Sequence, residues 1–267
     1  MIDKEYKRKI FNKSAKSYDD YSDLQDKVSK NLFKRLDLLK VNPDLILDLG
    51  CGTGTNGNIL KNKYKNIRLV NYDFSENMLI EARKKQTTIS DKFLSENLSF
   101  ICGDIEDLVF VDSIFDIIWS TNSLQWCNDI EKTFKMVRSI LKPGGLFIFS
   151  TFGPKTLHEL RSITQKITHY KKTNDFLEED FIKDKLIQES FVNLVIDSEE
   201  LKVSYQDINK LLLDIKNIGA TSGNKNRSKG LTGRQFFKKI EYNYDEYIID
   251  GLYPATYEII YGYAWKI

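Results

Sequence analysis

The chain has 267 residues, of which 41% are hydrophobic and 29% charged, with a formal net charge of +2. That balance is ordinary for a soluble globular protein. No uninterrupted apolar stretch approaches the roughly 20 residues a membrane helix needs, and so small a net charge gives no global reason to expect nucleic-acid or membrane binding. The length suits one α/β domain carrying a small insertion. Cys51, Cys102 and Cys127 stand far apart without a C-x-x-C pair, which points to neither a disulfide framework nor a zinc knuckle. The opening MIDKEYKRKIFNKSAKSYDDY mixes charges of both signs and lacks the apolar region of a secretory signal, so a cytoplasmic location is expected.

In chain order, residues 3–40 carry Phe11, Tyr18, Leu24, Val28, Leu32, Phe33 and Leu36 at spacings near three and four, which predicts helices forming an N-terminal cap. Pro43 ends that pattern, and Leu45-Ile46-Leu47-Asp48-Leu49 follows as a short apolar run closed by a glycine cluster, the mark of a buried first strand. A helix from about Asn58 to Tyr64 leads to a second strand, Arg68–Asp73, and Ser75 is placed to N-cap a helix over Glu76–Lys85. Further strands are expected at Ser99–Cys102, Phe115–Ser120 and Leu146–Ser150, with a helix over Ile130–Leu141 and a turn at Lys142-Pro143-Gly144-Gly145. The rhythm then changes to helices at about 154–170 and 178–190, a sixth strand around Val192–Ile196 reaching toward Val203, a helical insertion over 206–250 and a last strand over Tyr257–Trp265. Asn217–Lys229 is the best candidate for a mobile loop.

Strands alternating with helices imply a parallel sheet, so the expected fold class is α/β: a doubly wound, mostly parallel seven-stranded sheet with a helical cap built from the N-terminus and the insertion before the last strand. The layout is a single domain over 1–267, with cap 1–40, ligand-binding core 41–153, helices and sixth strand 154–205, cap insertion 206–250 and last strand 251–267.

Asp48-Leu49-Gly50-Cys51-Gly52-Thr53-Gly54 is the most specific segment. A strand ending in an acid, followed by glycines at alternate positions, makes a loop whose backbone a ligand can touch, since only glycine removes the obstructing Cβ. Gly52-Thr53-Gly54-Thr55-Asn56-Gly57 overlaps it and fits the dinucleotide pattern G-x-G-x-x-G, with Asp73 about 20 residues on. Charge separates the two readings. A pyrophosphate at the helix N-terminus would meet the Asp48 carboxylate unfavourably, whereas S-adenosylmethionine carries an ammonium and a sulfonium and no phosphate. For that cofactor Asp48 is a favourable neighbour, directly or through water. A nicotinamide oxidoreductase is the competing reading.

The other cofactor contacts follow from strand ends. Asp73 is expected to accept from both ribose hydroxyls, with a solvated turn acid as the alternative. Asp104 is placed to accept from the adenine amine, with the Ile105 N–H facing a ring nitrogen; helix capping is the competing use of that acid. Phe74 and Met78 either flank the adenosine or belong to the core. Ser120 and Asn122, at the end of the fourth strand, join Gly50, Cys51, Gly52 and Gly54 to complete the set. No metal site is expected, because His158 and His169 stand in no recognisable ligand or triad spacing.

DLGCGTG, the acid of NYD, GDIEDL and KPGG resemble the successive motifs of class I S-adenosylmethionine-dependent methyltransferases over residues 45–150. FNKSAKSYDDYSDLQ, SLQWCND, STFGPKTLHELR, the stretch from LLLDIKNIGATS through KGLTGR, and LYPATYEIIYGYAWK extend the likeness over almost the whole chain, to the malonyl-acyl-carrier-protein O-methyltransferases. The departures are Tyr263, where histidine is expected, and Tyr253 beside the PAT segment. The resemblance implies methylation of the free carboxylate of a malonyl thioester on an acyl-carrier protein, with S-adenosylhomocysteine as the second product. Masking that charge lets fatty-acid elongation proceed toward pimelate and biotin.

A carboxylate with a pKa near 4 is ionised at neutral pH, so methyl transfer to it needs no general base. It needs in-line placement about 3 Å from the methyl group in a site that excludes water. Candidate positioning residues are Tyr18, Gln125, Trp126 and Arg161. Arg161 either binds the carboxylate bidentately or pairs at the surface with an acid such as Glu159. Tyr18 and Trp126 have core packing as their alternative use. Lys225, Arg227, Lys229 and Arg234 lie in a basic block without Asp or Glu, which suits docking of an acidic carrier protein or is a solvated face. A monomer is expected. The rival functions are a methyltransferase for another small acid, a quinone precursor or a coenzyme A thioester, and a methyltransferase-like binding protein without turnover.

Overall fold

The computed structural model describes residues 1–87, 97–167, 176–217 and 234–267. His169, Lys225, Arg227, Lys229 and all but the first residue of the expected mobile loop lie outside the described residues, as does the side chain of Arg234. Seven strands, β1 (Leu45–Leu49), β2 (Arg68–Asp73), β3 (Leu98–Cys102), β4 (Phe115–Thr121), β5 (Leu141–Phe152), β6 (Phe191–Tyr205) and β7 (Tyr253–Lys266), form one sheet in the order β3-β2-β1-β4-β5-β7-β6. β7 runs antiparallel to both of its neighbours, and the other adjacent pairs are parallel. The doubly wound, mostly parallel sheet expected from the sequence is thus the one observed. The helices are α1 (Lys4–Ser14), α2 (Asp23–Asp37), α3 (Thr55–Lys63), α4 (Glu76–Gln86), α5 (Ile130–Ile140), α6 (His158–Ile167), α7 (Glu179–Gln188), α8 (Ile208–Asn217) and α9 (Arg234–Tyr244). None is long and apolar enough to cross a membrane.

β1 shows why the sheet is covered on both sides. Ile46, Leu47 and Leu49 are fully buried, and successive strand residues point to opposite faces. Ile46 joins Ile117, Trp119 and Ile148 in a layer covered by Val28, Leu32 and Leu36 of α2 and by Leu160 and Ile163 of α6. Leu47 and Leu49 join Ile118, Phe147 and Phe149 beneath Phe134 and Val137 of α5 and Ile182 and Leu186 of α7. A continuous apolar run is therefore the right sequence for this strand, because both of its faces are core.

The N-terminal segment divides its work. α2 lies on the sheet, with Phe33 stacked on Trp119 at 4.2 Å between ring centroids. α1 and the 3-10 turn Tyr18–Tyr21 lie at the carboxyl end of the strands, where Phe11 and Ala15 pack on Met78 beside Tyr18, Phe74 and Trp126. Chain order reverses between β1 and β4, and α1 covers the crevice made there.

Several boundaries differ from the sequence expectation. β5 begins at Leu141 instead of Leu146, because Leu141 pairs with Phe115 across an irregularity in the β4–β5 ladder and draws the Lys142–Gly145 turn into the strand. β6 and β7 are longer than expected, because they pair with one another from Phe191↔Lys266 to Tyr205↔Tyr253. Mutual hydrogen bonding extends strands beyond what local propensity marks.

Truncating Phe33→Ala removes a buried ring from the α2–sheet contact. It should destabilise the protein by about 3–5 kcal/mol, read from urea unfolding midpoints at constant slope.

Candidate active site

The loop after β1 is shaped by its glycines and by one carbonyl. Gly50 and Cys51 both donate their amides to the Tyr72 carbonyl, at 2.8 and 3.1 Å, which folds the loop back over β2. Gly50 has φ +80°, and a Cβ there would lie 2.4 Å from the Ser123 Cβ, so only glycine lets the loop approach the turn after β4. Gly54 has a different reason. Its Cβ would strike the Gln86 amide and Ala82, and the Gln86 Nε2 donates to the Gly54 carbonyl at 2.7 Å. Gln86 also crowds Gly57. The glycines that complete the dinucleotide pattern therefore serve the packing of α3 on α4.

A cleft of about 810 Å³ opens at the carboxyl ends of the strands. It brings together Gly50, Gly52, Asp73, Phe74, Met78, Asp104, Ile105 and Asn122 with Tyr18, Gln125 and Trp126. A second hollow of about 440 Å³ adjoins it and takes in Cys51, whose thiol is buried and pushed well above its ordinary pKa. Asp48, Gly54, Ser120 and Arg161 line neither. The carboxyl of Asp48, expected to meet the ammonium directly or through water, is fully buried at the end of β1, an inner strand. Gly54 faces α4, and Ser120 is buried with its Oγ 2.5 Å from the Ser123 Oγ. Arg161 turns its guanidinium onto the Pro154 carbonyl.

The acids of the cleft are held in position. Asp73 accepts from the Ser75 amide at 2.8 Å and from the Gly52 amide at 3.0 Å, and burial, opposed by those bonds, pushes it up to about 6. The Asp104 Oδ1 accepts from the Lys4 ammonium at 2.8 Å and from the Glu106 amide at 3.0 Å. The Tyr72 hydroxyl is shared between the carbonyls of Asp104 and Asp107, each at 3.1 Å. Aromatic rings roof the space between these acids and β4: Phe11 meets Phe74 and Trp126 edge-on, both at 5.6 Å, and the Lys7 ammonium lies 3.6 Å over the Trp126 ring. Burial drives the Tyr18 phenol far upward, with the charge of Asp73 adding to it, so the hydroxyl is a donor at any physiological pH.

At the far wall Asn122 has φ +51°, a conformation unusual for a side-chain-bearing residue, and its amide donates to the Ser150 carbonyl. The Gln125 Nε2 donates to the Asn122 carbonyl at 2.6 Å, and its Oε1 accepts from the Thr151 hydroxyl at 3.4 Å. One N–H of that amide is left for a ligand.

The cleft residues missed in the sequence are Lys4, Phe11, Gln25, Tyr72, Thr121, Ser123 and Phe152. Lys4 and Phe11 stand two turns apart on α1, but Tyr18 lies in the 3-10 turn and Gln25 on α2, so no single helical period links the set. Among the described residues no cluster of three or more His, Cys, Asp or Glu could hold a metal ion.

This donor set fits a cationic nucleoside better than a diphosphate. The carboxylates of Asp73 and Asp104 edge the cleft at the ends of β2 and β3, where they favour a cation and disfavour a diphosphate. A crevice at the point of strand reversal, edged by acids and roofed by aromatic rings, defines a class I S-adenosylmethionine-dependent methyltransferase.

The comparisons agree. The family model described as a methyltransferase domain matches residues 47–149. A malonyl-[acyl-carrier protein] O-methyltransferase of Methylovorus sp. is 36% identical over 266 residues, covering 100% of this chain and 90% of the relative. One from Legionella pneumophila is 34% identical over 259 residues, covering 97% and 89%. The chain therefore belongs to the malonyl-[acyl-carrier protein] O-methyltransferase family. Among solved structures, YcgJ of Bacillus subtilis superposes with a TM-score of 0.62 at 15% identity, covering 88% of this chain and 97% of that one. The phosphoethanolamine N-methyltransferase 2 of Haemonchus contortus does so with 0.56 at 17%, covering 89% and 52%. At such identities these two show the fold.

Asp48 is pushed up to about 8, by burial first and then by the charge of Asp73. An unfolded Asp titrates near 4, so between about pH 4 and pH 8 the folded state keeps a proton that the unfolded state has lost, and this group makes stability fall as pH rises. Asp48→Asn removes that slope. Its stability relative to the parent should rise from about pH 5 to pH 8, by up to ~1.4 kcal/mol per pH unit, in urea melts; parallel pH profiles would refute the assignment.

Proposed function

We propose that the chain transfers the methyl group of S-adenosylmethionine to the free carboxylate of a malonyl group on an acyl-carrier protein, leaving S-adenosylhomocysteine. The observation that carries this reading is end-to-end similarity to relatives bearing that name, over a chain whose strand ends form the cleft described above. The methyl ester product would lose the single charge of the malonyl thioester, as chain extension toward pimelate and biotin requires.

Within this reading Asp73 accepts from the ribose hydroxyls, and Asp104 and the Ile105 amide meet the adenine edge. Phe74 and Met78 flank the nucleoside. The cofactor supplies an electrophilic methyl on a sulfonium. The chain supplies position and dryness, with no proton to move, because the acceptor is already ionised. Tyr18 stays protonated and donates to the acceptor carboxylate, the remaining N–H of Gln125 is a second donor, and Trp126 walls the site. Arg161 would have to leave the Pro154 carbonyl to take part, so the uncharged donors are the stronger assignment. Lys225, Arg227, Lys229 and Arg234 remain the docking surface for the acidic carrier. A cytoplasmic location and a monomeric state complete the reading.

Malonyl-carrier protein and malonyl-coenzyme A offered separately with labelled methyl donor test the acceptor. The carrier-bound thioester should be methylated at the carboxylate with the higher kcat/KM, and transfer to neither would overturn the proposal. Charge reversal at Arg227, Lys229 and Arg234 together should raise KM for the carrier-bound substrate by about tenfold or more, with turnover of the coenzyme A thioester little changed. An unchanged KM would remove the docking assignment.

A further inference from the structure

Charge divides the cleft into two halves. Its acids, Asp73 and Asp104, stand at the ends of β2 and β3. The opposite wall, made by the end of β4, the turn after it and the end of β5, contributes Thr121, Asn122, Ser123, Gln125, Trp126 and Phe152, with no ionisable side chain among them. Two polar atoms on that neutral wall are shielded from solvent without a hydrogen-bond partner, the Thr121 Oγ1 and the Asn122 Nδ2. Leaving a buried polar group unmatched is costly, so such atoms mark a place where a ligand supplies the partner.

Asn122 is the more constrained of the two. Its backbone amide donates to the Ser150 carbonyl at 3.0 Å and to the Ser150 Oγ at 3.2 Å. Its carbonyl accepts from the Gln125 Nε2 at 2.6 Å, and its side-chain oxygen accepts from the Ser150 hydroxyl at 3.5 Å. These contacts lock a residue whose φ of +51° is uncommon for any side chain, and strain of that kind collects at functional positions. Every other polar group of Asn122 is engaged within the protein. Its Nδ2, with two N–H bonds, is what remains for an occupant of the cleft.

The reaction says what that occupant is. With the nucleoside at the acids of β2 and β3, the neutral wall is the part of the cleft left for the acceptor. A carboxylate beside Asp73 would be repelled, whereas amide donors receive it. As the methyl group is transferred, the C–O bond forms, the C–S bond breaks with its electron pair going to sulfur, and the carboxylate loses its charge. A cation on that carboxylate would hold the ground state more tightly than the transition state and slow the step. A neutral amide fixes the direction of the oxygens with a smaller penalty.

We propose that the Asn122 side-chain amide orients the malonyl carboxylate, donating from Nδ2 to the oxygen that does not attack, beside the remaining N–H of Gln125. This rests on the acceptor reading given above, and it moves Asn122 from the expected cofactor set to the acceptor site. The left-handed turn at the end of β4 then serves to present one amide to the substrate.

Two variants test it. Asn122→Gly removes the amide and keeps the left-handed backbone, which glycine adopts freely. It should raise KM for the malonyl thioester by about tenfold or more, while S-adenosylhomocysteine affinity in calorimetry stays within about twofold of the parent. Asn122→Asp keeps the size of the side chain but sets an anion against the carboxylate, so it should raise KM at least as far as the glycine variant. Recovery of KM by that isosteric side chain would show a packing role and overturn the assignment. So would an unchanged KM in Asn122→Gly, or a loss of S-adenosylhomocysteine affinity as large as the loss in KM. If the unaltered protein methylated no malonyl thioester, the acceptor reading would fail first and take this inference with it.

Discussion

Tyr72 is the residue on which the cleft depends. Its carbonyl holds the loop after β1 through the amides of Gly50 and Cys51, and its hydroxyl reaches the carbonyls of Asp104 and Asp107 in the segment after β3. The ring is buried and packs so closely that a Cβ on Gly103 would lie 2.0 Å from the hydroxyl oxygen. One side chain and one carbonyl in β2 thereby set the spacing of three parallel strand ends. Asp73, the next residue, spends one oxygen on the loop before it and one on the helix after it. A carboxylate anchored at both oxygens has little freedom to follow a ligand, so the ligand must fit the acid.

The N-terminal segment closes what β1, β2 and β3 begin. Asn128 exchanges hydrogen bonds with the backbone of Ile2, Lys4 pairs with Asp104 and Glu106, and Asn12 receives hydrogen bonds from Ser75 and Asn77 at the start of α4. These ties run to the segments after β2, β3 and β4, so α1 is fastened across the crevice by polar contacts at its rim and by aromatic contacts at its centre. Such an arrangement excludes water from the reacting centre without burying the lid in the core. Lys7 is the exception. It is fully buried, and burial lowers its pKa well below that of a free lysine.

Chemistry in this family asks little of the protein beyond placement. An ionised acceptor and a cationic donor attract one another, and the barrier is lowered by alignment and by the loss of solvent. The cleft holds a Tyr18 hydroxyl whose ionisation burial opposes and a Gln125 amide clamped by Asn122 and Thr151.

The amino-acid sequence alone determined the strand and helix order, the doubly wound sheet and the strand-end acids, because burial on two faces writes a continuous apolar run and a tight loop writes glycine. Asp73, Asp104 and the aromatic residues near them were legible for the same local reason. What only the tertiary structure decided were contacts between segments remote in sequence. Gly54 reads as a ligand-loop glycine until Gln86, 32 residues away, is seen against it. The full burial of the Asp48 carboxyl, outside the lining of both hollows, likewise depends on the neighbouring strands. Gln25 and Lys4 carry no local mark of a site, since a polar residue on an amphipathic helix is ordinarily solvated. They enter the cleft only because α1 and α2 fold back over the strand ends, a long-range packing choice that no short window of residues encodes.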